Sequence, residues 1–347
     1  MRDLNPGPAG ERTVSCVFLC GHQSPYGIAH AAAIARCFQL KAVIIADDQR
    51  WRLFRKKLSG SEETGEAESG KVRRLVRKVR LRWRDHQTLR SFKSYGAPVI
   101  QVHNANTPDV IGRVKEMGPD VLICAAYPQI LGPGILKSAP RGAINFHPSL
   151  LPRCRGAHPH YWCLASGEEK GGVSAHFMTE RIDDGDLIAQ RPIDLAGLYY
   201  DDLYRQIIRQ TPTLVQDVAH FLSDPSAAPT PQDAGLVTRF RNDREEDRRL
   251  DFLNIDAVDL MNRIRAGRAF ACHRGIRVHI DRADIISPAD IVSGTPGAVV
   301  AIDRSGVLVA ARDGCCILIT SVVSGRRKPS AYDWASSSGL AIGDQLQ

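Results

Sequence analysis

The sequence lacks the features that mark several broad classes of protein. No apolar run approaches the roughly 18 residues that cross a bilayer. Residues 1–13 are polar, without the hydrophobic stretch of a secretory signal. No internal repeat is present, and the segment GHQSPYG from Gly21 to Gly27 lacks the second and third glycines of a dinucleotide-binding loop. These absences exclude a membrane-spanning protein, a repeat protein and a typical dinucleotide site.

A disulfide framework is also missing. The nine cysteines are an odd number, and most stand singly inside apolar runs, as Cys16, Cys20 and Cys124 do. This pattern is typical of buried thiols in a reducing compartment. We therefore expect free cysteines and a cytoplasmic location.

No zinc motif is recognisable either. Cys154, His158, His160 and Cys163 lie close in sequence, but their spacing matches no common structural zinc pattern. A helix that starts at Pro159 would direct these side chains apart. We expect no metal.

What the sequence does contain is a normal apolar content and an uneven charge. Of its 347 residues, 43% are apolar, and the net charge is +8. Residues 71–93 hold ten basic residues against one acidic residue, and the rest of the chain holds 36 against 37. Within an insertion at 48–96, apolar residues of this basic segment recur with helical period. The segment is either a structural helix or an electropositive arm for phosphate, RNA or anionic lipid.

Strands and helices alternate over the first part of the chain, which predicts an α/β, Rossmann-like, doubly wound and mostly parallel sheet. The predicted strands are Thr13–Cys20, Ala42–Ala46, Pro98–His103, Val121–Ala126 and Gly142–Phe146. After a Pro- and Ser-rich linker at 223–235, short strands separated by Gly and Pro predict a smaller OB-like β-barrel. We therefore expect a catalytic domain at 1–222 and a C-terminal barrel-like domain at 236–347.

Polar residues follow the fifth predicted strand, where ligands bind in such sheets. Asn145 and His147 are two residues apart, so both side chains point the same way. Asp183 lies in a carboxylate-rich turn between two later strands. Together they supply an amide, a proton shuttle and a charge that can hold the shuttle. Taken singly, each of these features is more typical of a structural role, and Ser149 is better explained as a turn-capping hydroxyl than as a nucleophile.

The combined motif is more specific than its parts. INFHPSLLPRCRGAHP, followed by GGVSAHFMTERIDDGDLIAQ, resembles the folate-dependent formyltransferase family. The segments RLDFLNIDAVDLMNRIRA, GTPGAVVAI and GRRKPSAYDWASSSGLAIGDQL resemble the C-terminal domain of its methionyl-tRNA formyltransferase branch. The resemblance covers nearly the whole chain and is weakest over residues 48–96.

This resemblance implies formyl transfer from 10-formyltetrahydrofolate, a co-substrate, to an amine. It implies a catalytic set of Asn145, His147 and Asp183, in which Asn145 and protonated His147 stabilise an oxyanion and Asp183 orients the imidazole. The residues that it implies for the folate pocket are Pro128, Gln129, Ile130, Leu131, Met178 and Ile182.

The acceptor is harder to assign. The tRNA-acting branch has an N-P-W-P stretch and a GTPxFA-like first loop, where this chain has residues 267–273 (GRAFACH) and 21–25 (GHQSP). The HPHYW segment at 158–162 resembles small-amine enzymes, and Arg153, Arg155 and Gly156 are candidates to bind an acidic acceptor. We therefore expect a small-molecule amine, such as an amino-sugar nucleotide, rather than initiator tRNA. A hydrolase of 10-formyltetrahydrofolate and a non-catalytic RNA-binding protein are the rival interpretations, and a homodimer is possible.

Overall fold

The structure is a computed structural model that describes residues 13–21, 24–46, 90–287, 294–325 and 327–347. The basic segment 71–93 therefore lies outside the described residues except for 90–93, which are helical. The same holds for the insertion 48–96 up to residue 89. The chain forms two compact units. The first comprises Met1–His147, Val173–Arg191 and Ile208–Asp233, and the second comprises Pro148–Gly172, Pro192–Ile207 and Ala234–Gln347.

Apolar strands build a seven-stranded sheet. In chain order the elements up to residue 147 are β1 (Ser15–Gly21), α1 (Pro25–Cys37), β2 (Gln39–Ala46), β3 (Val99–Val102), α2 (Pro108–Met117), β4 (Val121–Ala125), α3 (Pro133–Leu136) and β5 (Ala143–His147). They are followed by β6 (Arg155–Gly156), α4 (Pro159–Ala165), β7 (Lys170–Phe177), β8 (Leu187–Asp194) and α5 (Tyr200–Ser223). The strand order is β3-β2-β1-β4-β5-β7-β8.

Most neighbouring strands of this sheet run parallel to each other. Strands β1 to β5 pair in parallel, and β7 runs antiparallel to β5. β1 and β4 are fully buried, as expected for strands of a parallel sheet covered on both faces. Ser24 caps α1, and Gly118 ends α2 in the left-handed conformation. The predicted doubly wound, mostly parallel sheet is confirmed.

The remaining elements form a smaller β domain. They are β9 (Arg239–Phe240), α6 (Glu245–Arg248), α7 (Ala257–Arg265), β10 (Phe270–His273), β11 (Ile276–Ile286), β12 (Val299–Asp303), β13 (Gly306–Ala310), β14 (Cys316–Val323) and α8 (Ala331–Ser338). Five of the strands form an antiparallel sheet in the order β10-β11-β14-β13-β12, and α7 and α8 contribute to its core. β6 and β9 pair with each other in a separate two-stranded sheet.

Two sequence expectations for this domain need correction. Among the short strands that the Gly and Pro spacing predicts is one over Val278–Ile280, and it is only the middle of the longer β11. Arg277, Asp281 and Asp284 interrupt the apolar pattern, but the pairing of β11 with β14 continues beyond register shifts on both sides of Arg282. β10 and α8 are elements that the sequence did not indicate. The nine cysteines are all free, and none of the described helices is long and apolar enough to cross a membrane.

Candidate active site

The last residues of β5 provide two of the polar groups. Asn145 lies opposite His176 of β7, and His147 lies opposite Ser174. Because side chains alternate across a strand, Asn145 and His147 share one face of the sheet. Phe146 points to the other face, where its ring packs 4.6 Å from that of His30.

The turn between β7 and β8 provides the carboxylate. Asp183 adopts a left-handed backbone conformation with φ of 53°. Its Oδ2 lies 3.6 Å from Nδ1 of His147, and its Oδ1 lies 3.6 Å from Nε2 of His176. Nδ2 of Asn145 lies 3.4 Å from the same Oδ1. All three predicted catalytic residues therefore meet, with His176 as a fourth member.

Two residues outside this set hold the turn in place. A Cβ on Gly185 would collide with the carbonyl oxygen of Phe177, so the turn can approach β7 only with glycine here. Nε2 of Gln232 donates to the carbonyl oxygens of Gly185 at 2.7 Å and Asp183 at 3.0 Å. The predicted linker 223–235 thus supplies a side chain that supports the site. No pattern along the chain indicates this contact.

The Cys124 thiol, on the strand next to Asn145, is unreactive at neutral pH. Cys124 of β4 lies opposite Asn145 of β5. Burial, followed by the charge of Asp183, raises the pKa of Cys124 to about 12, despite a backbone hydrogen bond from Tyr127 that lowers it. Burial likewise raises the pKa of Cys20 well above its usual range. Both thiols stay protonated at neutral pH, so neither is a nucleophile.

The segment after β4 and the turn around Ile182 expose apolar surface. Pro128 is exposed, and Ile130 and Ile182 are 68% and 49% exposed. Tyr127 is different, because within the described part of the chain its buried hydroxyl has no hydrogen-bond partner. Exposed apolar side chains suit contact with the faces of a flat ring system.

The other three residues predicted for a folate pocket have side chains that hydrogen-bond to, or pack against, the rest of the first unit. The Gln129 side chain accepts from the Ala105 N–H at 3.1 Å and donates to the carbonyl oxygen of His103. Leu131 is buried in the core of the first unit, and Met178 packs against that core. Their side chains hold the segment in place.

The residues predicted to bind the acceptor belong to the second unit. Nη1 of Arg153 lies 3.3 Å from Oε1 of Glu168. Arg155 is 3% exposed, and the backbone of Gly156 has φ of 98°. Ser149 donates to the carbonyl oxygen of Arg153 at 2.8 Å, which confirms its role in a turn.

Family models account for most of the chain. A model described as formyl transferase matches residues 73–215, and one described as formyl transferase, C-terminal domain, matches residues 244–339. The methionyl-tRNA formyltransferase of Anaeromyxobacter sp. (strain K) is 32% identical over 253 residues, which cover 70% of this chain and 80% of that enzyme. The chain belongs to the formyltransferase family. A second methionyl-tRNA formyltransferase, from Synechococcus sp. (strain JA-3-3Ab), is 32% identical to this family member over 267 residues. The match covers 74% of this chain and 82% of that enzyme.

Solved structures share the fold of this formyltransferase. An N-formyltransferase from Helicobacter canadensis, in complex with folinic acid and dTDP-3-aminofucose, superposes with a TM-score of 0.57 at 13% identity. The match covers 88% of this chain and 98% of that one. HypX from Aquifex aeolicus, in complex with tetrahydrofolic acid, superposes with a TM-score of 0.55 at 16% identity and covers 95% of this chain and 48% of that one.

A metal centre is not visible in the parts of the chain that can be described. Among residues 13–21, 24–46, 90–287, 294–325 and 327–347, no group of three or more His, Cys, Asp or Glu side chains is arranged to hold a metal ion.

Proposed function

We propose that this formyltransferase moves the formyl group of 10-formyltetrahydrofolate to a primary amine. The observation that carries the proposal is the meeting of His147 with Asp183 at 3.6 Å, beside Asn145, at the end of β5. Acyl transfer between nitrogens needs a proton shuttle with a fixed orientation and a polar partner for the developing charge. This site provides each of these.

The chemistry is a transfer of one acyl group and one proton. The amine nitrogen attacks the formyl carbon, and a C–N bond forms as the carbonyl oxygen becomes an oxyanion. Asp183 faces Nδ1 of His147, so Nε2 of His147 is directed to the reacting atoms. His147 accepts the proton of the attacking nitrogen and returns it to N10, whose bond to the formyl carbon then breaks. A general acid–base group of this kind accelerates a reaction by roughly 10²- to 10⁴-fold.

The donor fits the surface beside these residues. The pterin ring of the folate has apolar faces and a polar edge. Ile130 and Ile182 are exposed and offer apolar contact to its faces. The segment that carries Ile130 is anchored by Gln129 and Leu131, so it is formed before the ligand binds.

For the acceptor, the comparisons support methionyl-tRNA better than the small amine that the sequence motifs favour. The relatives described above are methionyl-tRNA formyltransferases, and the family's C-terminal domain is present. A small-molecule amine is the second candidate, because the C-terminal domain is nearly neutral: residues 234–347 hold 16 basic and 14 acidic residues. Several of its arginines are paired, as in Arg241–Asp247 and Arg277–Glu245.

A direct comparison of acceptors tests this proposal. The purified protein would be mixed with 10-formyltetrahydrofolate and either methionyl-tRNA or a panel of amino-sugar nucleotides, and kcat/KM for formamide formation would be measured for each. A kcat/KM for methionyl-tRNA at least about a hundredfold above every small amine supports the first candidate. The reverse ranking supports the second, and release of formate with no amine formylated would sink the transferase proposal in favour of a hydrolase.

A further inference from the structure

The end of the first unit, which the composition marks as a linker, pairs with the sheet beside the Asp183 turn. The N–H of Leu187, the first residue of β8, donates to the carbonyl oxygen of Thr230 at 2.7 Å. The N–H of Thr230 donates back to the carbonyl oxygen of Leu187 at 2.8 Å. Since β8 is the edge strand, this bridge extends the sheet by one pair of residues. The first unit ends three residues later, at Asp233.

Beside this bridge, one side chain of the linker turns inward. Gln232 is half-buried, whereas its neighbours Pro231 and Asp233 are exposed. Its Nε2 has two hydrogens, and two carbonyl oxygens of the turn accept from it, that of Gly185 at 2.7 Å and that of Asp183 at 3.0 Å. Carbonyl oxygens can only accept, so the amide nitrogen of Gln232 faces the turn.

The Asp183 turn requires support of this kind because its backbone is left-handed. The φ of Asp183 is 53°, a conformation that residues with a Cβ rarely adopt, although Asp tolerates it better than most. Such a conformation persists where the surrounding structure over-determines it. From β7, the N–H of Phe177 donates to the carbonyl oxygen of Asp186 at 2.9 Å, which holds the far end of the turn. The hydrogen bond from Gln232 acts on Asp183 itself.

We propose that Gln232 is a positioning residue that holds the Asp183 backbone in its left-handed conformation and so directs the carboxylate at His147. Oδ2 of Asp183 and Nδ1 of His147 are 3.6 Å apart, beyond the length of a hydrogen bond, so their alignment depends on the backbone that carries Asp183. The linker then takes part in formyl transfer, a role that rests on the proposed function.

The effect of Gln232 on His147 can be measured without any activity. Asp183 favours the charged form of His147 and so raises its pKa, and a charge on His176, whose ring lies 6.5 Å away, would oppose this. Methionine has nearly the length of glutamine but cannot donate. We expect Gln232→Met to lower the pKa of His147 by at least about 0.5, and Asp183→Asn to lower it further.

NMR titration of the imidazole signals measures these pKa values, and the His147 signals are those missing in His147→Asn. The matched control is Gln216→Met, at an exposed glutamine of α5, which should leave the pKa of His147 unchanged. Thermal melting checks that each variant is folded. A lower melting temperature in Gln232→Met with an unchanged pKa of His147 would show that Gln232 only stabilises the fold, and would overturn the proposal.

Kinetics then separate an effect through Asp183 from an independent one. We expect Gln232→Met to lower kcat by about tenfold, as loss of alignment does, with the KM of the amine unchanged within about twofold. In the Asp183→Asn background the same change should lower kcat by less than about twofold, because the carboxylate that Gln232 positions is already absent. Equal losses in the two backgrounds, or a loss confined to KM, would contradict the proposal.

The two measurements also distinguish failure of this inference from failure of the proposed function. If the wild-type protein formylates no amine, the proposed function fails, while the pKa of His147 in Gln232→Met still decides whether Gln232 positions Asp183. If the wild-type protein is active and the pKa of His147 is the same in Gln232→Met, only the inference fails.

Discussion

At the residue scale, one carboxylate serves two imidazoles. Asp183 stands 3.6 Å from both His147 and His176, and its own turn is held by Gln232. A charge placed between two rings orients both and stabilises whichever becomes protonated. The separation exceeds a hydrogen bond, as is common before a substrate binds.

Removing this charge should impair the chemistry and leave the fold intact. We predict that Asp183→Asn lowers kcat by at least about a hundredfold, because the imidazolium of His147 loses its counter-charge. The neighbouring Asp184→Asn is the matched control, since Asp184 pairs with exposed Arg181 at 3.4 Å. Steady-state kinetics under saturating donor would make the comparison, and similar kcat values in the two variants would contradict the assigned role.

A second histidine makes stability depend on pH. Burial lowers the pKa of His30 from 6.5 to about 4, although a hydrogen bond to the Tyr26 carbonyl oxygen partly opposes this shift. Between these values the unfolded chain binds a proton that the folded chain does not, so the free energy of unfolding falls as pH falls from 6.5 toward 4. The loss is on the order of 3 kcal/mol.

His30→Phe should remove this part of the pH dependence. The ring keeps its contacts with Tyr26 and Phe146, but it cannot be protonated. Denaturant unfolding at pH 7 and pH 4.5 measures the difference, with exposed His220→Gln as the control. An unchanged pH dependence in His30→Phe would show that His30 is not the cause.

The sequence predicts those residues of the site that stand in recognisable motifs, and it does not predict those that tertiary structure brings to the site. Asn145, His147 and Asp183 stand in motifs that can be read along the chain. His176 meets them only because β7 pairs antiparallel to β5 in one register. Gln232 lies in a segment whose composition indicates a linker. Neither contact has a local pattern that would reveal it.

At the element scale, the turn between β7 and β8 depends on a close backbone approach. A Cβ at Gly185 would collide with Phe177, whereas one at Gly112 in α2 would meet no atom within 4 Å. We predict that Gly185→Ala lowers both the melting temperature and kcat, because the Asp183 turn must move. Gly112→Ala should raise stability by about 0.5–1 kcal/mol, since alanine favours the helix. Thermal unfolding tests both, and a harmless Gly185→Ala would contradict the packing described here.

The elements that were predicted share strong patterns, and those that were missed do not. β1 and β4 are unbroken apolar runs, the pattern that predicts a buried strand. β10 is four residues long, and α8 is rich in serine, so neither has a period that identifies it. Both are stabilised by packing within the second unit, which no local sequence pattern reveals.

At the scale of the whole molecule, the net charge comes from one segment. Residues 71–93 carry ten basic residues and one acidic residue. With methionyl-tRNA as the acceptor, phosphate contacts should depend on this segment. We predict that changing Arg73, Arg74 and Arg77 to Gln weakens tRNA binding and reduces the slope of log affinity against log salt by about 2.

The control removes charge elsewhere, at Arg113 and Lys115 of α2, and should leave that slope nearly unchanged. Binding titrations at several salt concentrations measure both variants. Equal slopes for the two variants and the wild type would show that the basic segment does not bind tRNA.

The central claim is that His147, held by Asp183, transfers a formyl group to an amine. It is tested most directly by supplying 10-formyltetrahydrofolate with a labelled formyl carbon and following that label in single turnovers of wild-type protein and His147→Asn. The account predicts that the label appears in a formamide in the wild type, and that the rate falls at least about a hundredfold in the folded variant. Label appearing only as formate, or an unchanged rate in His147→Asn, would contradict it.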